Sequence, residues 1–176
     1  GAVGGVYIHE RYHHDTSMQR LAGWWGYDKT TRFQMKKGFK PVLTAEGWQL
    51  STPSPVLFAA HKASLEIFEE AGMDAVTKKS KLLSDYLFFV LDKVNEAYTE
   101  KIIEIITPKN ESERGCQVSM LMLKRGKEIF DKLPKYGIFA DWREPDVIRI
   151  APVPLYNTFE EVWTFGDTLQ KILSLQ

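Results

Sequence analysis

Cysteine is nearly absent: Cys116 is the only one in 176 residues. A single thiol cannot close an internal disulfide, nor can it build a zinc site alone. The sequence therefore reads as belonging to a reducing, cytoplasmic compartment, with Cys116 a small packed hydrophobe rather than a nucleophile. Long apolar runs are missing as well, and none approaches the ~20 residues that cross a bilayer. The N-terminus lacks the basic-then-apolar pattern of a secretory signal, so no membrane association is expected. Nor is there an excess of charge: 23 basic and 23 acidic residues leave a formal net charge of +0. Nucleic-acid binding normally rests on a basic surplus, so no nucleic-acid partner is expected. The densest basic cluster, Lys36 followed by "KGFKP", reads as a solvated loop. Internal repeats and low-complexity tracts are lacking too.

What is present is an ordinary globular composition, 44% hydrophobic and 26% charged, in a length that suits one domain or one domain plus part of another. The opening "GAVGGVYIHE" predicts a glycine turn feeding a short strand over 5–9. From 11 to 50 periodicity collapses, although three of the five tryptophans, Trp24, Trp25 and Trp48, lie there. A long stretch with little regular structure is usually functional or packed on a partner. A helix is then announced over 53–71, with Thr52 as N-cap, Pro53 in the first turn and Gly72 at the stop. A second follows over 74–97, where Leu83, Tyr86, Leu87, Val90, Leu91 and Val94 recur at helical spacing.

Beyond Glu100 the pattern turns to short strands and helices. "KIIEIITP" predicts a strand ended by Pro108, and "ESERGCQVSMLML" another with Val118, Met120 and Met122 on one face. "GKEIFDKLPKYG" is a short helix closed by Gly137. "IFADWRE" and "VIRIAPV" are strands split by "EPD", and a last helix is capped by Asn157 or Thr158. The order β-β-α-β-β-α predicts a small α+β sandwich.

Several constellations bear on chemistry. His9, Glu10, His13, His14 and Asp15 crowd into "HERYHHD", and His9 and His13 have the i, i+4 spacing of a helical zinc site. His9 ends the predicted strand, however, and no third ligand is obvious, so a polar, partner-facing turn is the favoured reading. "GAVGG" lacks the lysine and hydroxyl of a phosphate-binding loop. In "STPSP" a hydroxyl at a helix N-terminus would seat a phosphate, though an ordinary cap explains it as well. Arg149 sits inside the apolar strand "DVIRIAPVP", with Val147 on its side and Ile148 and Ile150 on the other. Such a guanidinium grips a carboxylate with its planar fork, and that carboxylate is either a protein side chain or a substrate. The two indoles of "GWWGYD" are not expected to face one core together, so one stacks on a partner or donates its N–H.

The strings "GWWGYDKTTRF", "ASLEIFEEAGMDAVTKKSKLLSDYL", "IITPKNESERGCQVS" and "IRIAPVPLYNTFEEV" resemble kynureninase, in order and over essentially the whole chain. The resemblance implies an α/β fold, the fold-type I architecture of pyridoxal-phosphate (PLP) enzymes. It implies that residues 1–72 end the PLP-binding large domain, with a dimer-interface segment and the start of the connecting helices. Residues 73–176 then form the C-terminal small α+β domain. The implied reaction is hydrolysis of L-kynurenine, or its 3-hydroxy form, to anthranilate (or hydroxyanthranilate) and L-alanine, in a cytoplasmic homodimer with shared active sites. It serves tryptophan catabolism or NAD biosynthesis.

By the same resemblance Trp24 matches the tryptophan that bonds the PLP phosphate, and Thr52 matches a phosphate-contacting position. Arg149 matches the arginine that holds the substrate α-carboxylate. Ser51 stands where members differ by substrate preference, and Trp25 falls near the substrate ring. The Schiff-base lysine is expected upstream of Gly1, in a missing N-terminal half. None of the lysines present matches it, Lys29 included, so the chain alone is expected to be inactive. A non-catalytic dimerisation or binding module built on this fold is the competing reading. Another PLP enzyme of the same fold, such as a cysteine desulfurase, would lack "RIAPVPLYN" together with "GWWG".

Overall fold

Gly72 divides two helices. Its φ of 76°, a conformation only glycine adopts without strain, lets the chain leave α1 (Pro55–Ala71) and enter α2 (Met73–Glu96) with no intervening loop. Its N–H closes α1 on the Phe68 carbonyl (3.0 Å), and its own carbonyl accepts from Val76 (3.1 Å). The computed structural model describes residues 3–175 and resolves into two compact units, Gly1–Ile67 and Phe68–Gln176.

The start of α1 differs from the sequence expectation. Phe58 donates to the Ser54 carbonyl (3.1 Å), which makes Ser54 the N-cap and Pro55, not Pro53, the first helical residue. A proline disfavours helical backbone in the residue before it, so Ser54 stays outside the helix and Thr52 lies two residues ahead of the cap.

In the second unit the predicted order of elements is found. Strands β1 (Ile103–Ile105), β2 (Val118–Met122), β3 (Asp141–Arg143) and β4 (Val147–Ile150) form one antiparallel sheet, ordered β1-β2-β4-β3. Helix α3 (Gly126–Lys132) lies between β2 and β3 and runs into a 3-10 turn closed by Gly137 at φ 75°. Helix α4 (Phe159–Ser174) closes the chain, with Thr158 and Glu161 forming a reciprocal capping box.

Alternation decides which sheet face is buried. Ile103, Val118, Met120, Met122 and Ile148 point into one cluster with Leu83, Leu87, Leu91 and Val94 of α2 and Phe165, Leu169 and Ile172 of α4. A Cβ on Gly166 would lie 2.2 Å from Val90 Cγ1, so the α2–α4 approach requires glycine there. Asn95 ties the end of α2 to β1 by accepting from the Ile102 and Ile103 N–H groups (3.1 and 2.9 Å). Arg114 of "ERGCQ" lies over the Phe88 ring (4.6 Å) and pairs with Asp85, clamping the β1–β2 loop to α2.

The first unit has almost no regular structure before α1. It holds 3-10 turns at Glu10–Tyr12, Arg32–Gln34 and Ala45–Trp48, and one isolated bridge between Tyr27 and Pro41. The strand expected over 5–9 does not form: those residues are unpaired, and Val6 and Tyr7 are exposed. A strand needs a neighbouring ladder, and none of the described residues supplies one. The two leading residues of the predicted glycine turn lie outside the described residues. Helix α1 buries none of its 17 residues. Among the described residues no helix is long and apolar enough to cross a membrane.

Candidate functional site

The tryptophan pair is delivered by two glycines that accept backbone where a side chain would not fit. A Cβ at Gly23 would fall 2.2 Å from Leu50 Cα, and one at Gly26 2.8 Å from the Gly47 carbonyl oxygen. Gly26 donates to the Gln49 carbonyl (2.8 Å) and accepts from Val42 (2.9 Å). The segment 23–26 therefore lies flat against 47–50, the stretch that runs directly into Ser51 and Thr52. Trp24 is 44% exposed and meets Phe33 edge to face at 5.4 Å, whereas Trp25 is half-buried. The Trp24 indole N–H and the exposed hydroxyls of Ser51 and Thr52 bond to no group among the described residues. The two indoles differ in exposure: Trp25 is half-buried, and Trp24 is open to solvent on one side.

Sequence reasoning missed Arg32. Its side chain is buried, with the guanidinium 5.1 Å from the Trp25 ring and 5.9 Å from that of Trp24. Nη2 donates to the carbonyls of Tyr27 (3.2 Å) and Trp25 (3.4 Å), while Nε and the neighbouring Thr31 hydroxyl are buried without partners. Arg20 repeats the motif, lying 3.6 Å over the Trp48 ring and donating to the Asp15 carbonyl (2.8 Å). Planar cations on indoles thus hold a segment with little aliphatic content. The visible hint was "TTRF", an arginine inside a tryptophan-rich run whose one acidic residue, Asp28, pairs instead with Lys40. Nearby, the Lys40 ammonium and the Thr30 hydroxyl hold the Asp28 carboxyl well below the usual range.

Arg149 belongs to the second unit. On the sheet face opposite the core it stands directly across from Asp141, and Asp141 Oδ2 accepts from Nε (2.5 Å) and from Nη2. The protein carboxylate left open by the sequence is therefore present. Two of the three histidines of "HERYHHD" serve the local turn: His9 Nδ1 accepts from the Arg11 N–H (3.2 Å), and His13 Nε2 bonds the Ile8 carbonyl (3.0 Å). Among the described residues no three His, Cys, Asp or Glu side chains are grouped to hold a metal ion. Cys116 is half-buried and free.

The chain tracing has solved counterparts. One is an apo cysteine desulfurase from Thermococcus onnurineus NA1, with a TM-score of 0.69 over 94% of this chain and 42% of that one, at 15% identity. Another is a mutant of C-DES, a protein described as carrying glycine covalently linked to its PLP cofactor. It has a TM-score of 0.68 over 93% of this chain and 40% of that one, at 16% identity. The fold is thus that of one part of a fold-type I PLP-dependent enzyme.

Sequence likeness is narrower. The family model of the kynureninase C-terminal domain matches residues 76–169, and the chain belongs to that family. It is 45% identical over 171 residues to a kynureninase of Flavobacterium johnsoniae, spanning 97% of this chain and 40% of that protein. To a kynureninase of Stenotrophomonas maltophilia it is 44% identical over 173 residues, again 97% of this chain and 40% of the relative. To one of Myxococcus xanthus it is 45% identical over 170 residues, 97% and 39%. The chain therefore spans about two fifths of the length of these curated relatives.

Proposed function

We propose that this chain is the C-terminal portion of a kynureninase, contributing to PLP-dependent hydrolysis of L-kynurenine or 3-hydroxykynurenine to the corresponding anthranilate and L-alanine. The observation that carries the reading is likeness to kynureninases over 97% of the chain at 45% identity. In this reading residues 1–72 end the large domain and residues 73–176 form the small one. The enzyme is a cytoplasmic homodimer whose active sites are shared between subunits.

The residues present fit the cofactor. An anionic phosphate needs donors and positive potential. Among the described residues the Trp24 indole N–H and the Thr52 hydroxyl are open donors, and no carboxylate pairs with the Arg32 guanidinium, which adds a charge. Trp24 and Thr52 would hold the phosphate. Arg149 would bind the α-carboxylate of the substrate, with Ser51 and Trp25 near its ring. PLP, when bound, supplies the electron sink that lets a carbon–carbon bond break. In this reading the chain's part is to bind and orient, and the lysine that would anchor the cofactor is expected upstream of Gly1, since none of the lysines present matches the Schiff-base motif.

The deciding experiment is borohydride reduction with PLP, followed by intact-mass measurement. The full-length enzyme should carry one stoichiometric adduct per chain, and residues 1–176 alone should carry none. A specific adduct on the isolated chain would sink the assignment of the anchoring group. A full-length protein that binds PLP without hydrolysing kynurenine would favour the alternative, a binding or dimerisation module derived from this fold.

A further inference from the structure

We propose that Asp141 is a positioning residue for Arg149: it holds the guanidinium by one edge so that the other edge is free to take a ligand carboxylate. This rests on the reading of Arg149 as the group that binds the substrate α-carboxylate.

The geometry begins with register. β3 pairs antiparallel with β4, Asp141 lies directly opposite Arg149, and both side chains stand on the sheet face away from the core. Asp141 uses a single oxygen, Oδ2, to accept from Nε (2.5 Å) and from Nη2 of Arg149. These donors lie on one side of the planar fork. Nη1 donates to no group among the described residues, and the side chain is 29% exposed. The end formed by Nη1 and the second N–H of Nη2 is therefore accessible and suited to two parallel bonds with a carboxylate.

An acidic residue beside a carboxylate site would ordinarily repel the ligand. Here Arg143 Nη2 approaches the same Asp141 oxygen at 3.3 Å. Two guanidinium groups thus share one carboxylate, and the cluster keeps one net positive charge for an incoming anion. The pair is too exposed to matter much for stability, with Asp141 45% accessible. What it supplies is order, since an arginine loses many rotamers when it grips a ligand. Fixing the fork beforehand removes that cost from the binding step.

The test uses the full-length holoenzyme and three variants, Asp141→Ala, Asp141→Asn and Arg149→Ala. Asp141→Ala should raise KM for L-kynurenine by roughly 2- to 10-fold, the cost of ordering one unfixed, rotamer-rich side chain on binding. Its kcat should fall by less than KM rises, and PLP affinity, followed by the cofactor's absorbance, should hold. Asp141→Asn, which keeps one acceptor without the charge, should lie between wild type and Asp141→Ala. A competitive inhibitor that lacks the α-carboxylate should bind all three equally. Raised KM for Arg149→Ala with none for Asp141→Ala would overturn the positioning role alone. Equal weakening of inhibitors with and without the carboxylate would mark a merely structural residue, and would also overturn it. Unchanged KM in Arg149→Ala would overturn the reading of Arg149, and the proposal with it. If Asp141→Ala does not fold, Asp141→Asn is judged by the same criteria.

Discussion

Arg32 and Trp24 illustrate how a segment without a leucine core is held in shape. A buried guanidinium is costly unless its donors are met. Arg32 meets part of that need with two carbonyls and two indole faces. Arg32→Ala should lower stability by about 3–5 kcal/mol, the sum of roughly 2 for a desolvated cation–π contact and about 0.5–1.5 for each of two hydrogen bonds. Arg32→Lys should recover only part, because an ammonium lacks the planar fork. Urea unfolding followed by tryptophan fluorescence reads both, and an unmoved midpoint would mean the backbone alone holds the loop. Trp24→Phe keeps the ring and removes the N–H, so PLP affinity of the full-length enzyme should drop by about 1–2 kcal/mol. An unaltered affinity would leave Trp24 a packing residue. Arg149→Ala should weaken substrate binding by about 2–4 kcal/mol while PLP stays bound, measured as KM alongside cofactor titration.

At the scale of elements, the α3–α4 junction carries a pH signature. Arg125 adopts φ 55° just before α3 and reaches the carbonyls of Leu173 (3.4 Å) and Leu175 (2.8 Å) at the end of α4. Glu128 grips Arg125 through both carboxylate oxygens (2.7 and 2.6 Å) and also accepts from Lys132 (2.7 Å). Arg125, then Lys132, lower the Glu128 carboxyl from 4.5 to about 2. A carboxyl depressed on folding stabilises the fold fully above its unfolded value, and the contribution is lost as pH falls through its folded value. Wild type should therefore be more stable than Glu128→Gln at neutral pH, with the gap closing between 4.5 and about 2. Denaturant melts across that window would show it, and a gap independent of pH would refute it. Most elements of this unit were legible in sequence because their signals are local. Alternation placed Val118, Met120 and Met122 on one face, and helical spacing placed Leu83, Leu87, Leu91 and Val94 on another. The α1 start was misread by two residues because two prolines compete there, and the restriction that the second places on Ser54 decides.

For the molecule as a whole, α1 stands out because Val56, Leu57, Phe58, Leu65 and Ile67 are all exposed, and no residue of the helix is buried. That much uncovered apolar surface on one helix marks an interaction face. The isolated chain should show a mass that rises with concentration in light scattering and should bind a hydrophobic dye. On the proposed reading, supplying the N-terminal part of a kynureninase should suppress both. A monodisperse, dye-silent monomer would remove the argument that this helix needs a partner. The irregularity of 11–50 was legible as an absence of period, but the Arg–Trp stacks and glycine contacts within it were not. They join residues such as Arg20 and Trp48, which no local pattern connects.

The sequence by itself determined the family and the order of elements from 55 onward, because capping, alternation and helical spacing act within a few residues of one another. Tertiary structure decided what each exposed or buried polar group does. The hairpin register set Asp141 against Arg149, and close backbone approach at Gly23 and Gly26 left Trp24 exposed and Trp25 half-buried. The segment 5–9 has strand-forming residues yet stays unpaired, since a ladder is made by two stretches of chain and propensity supplies only one.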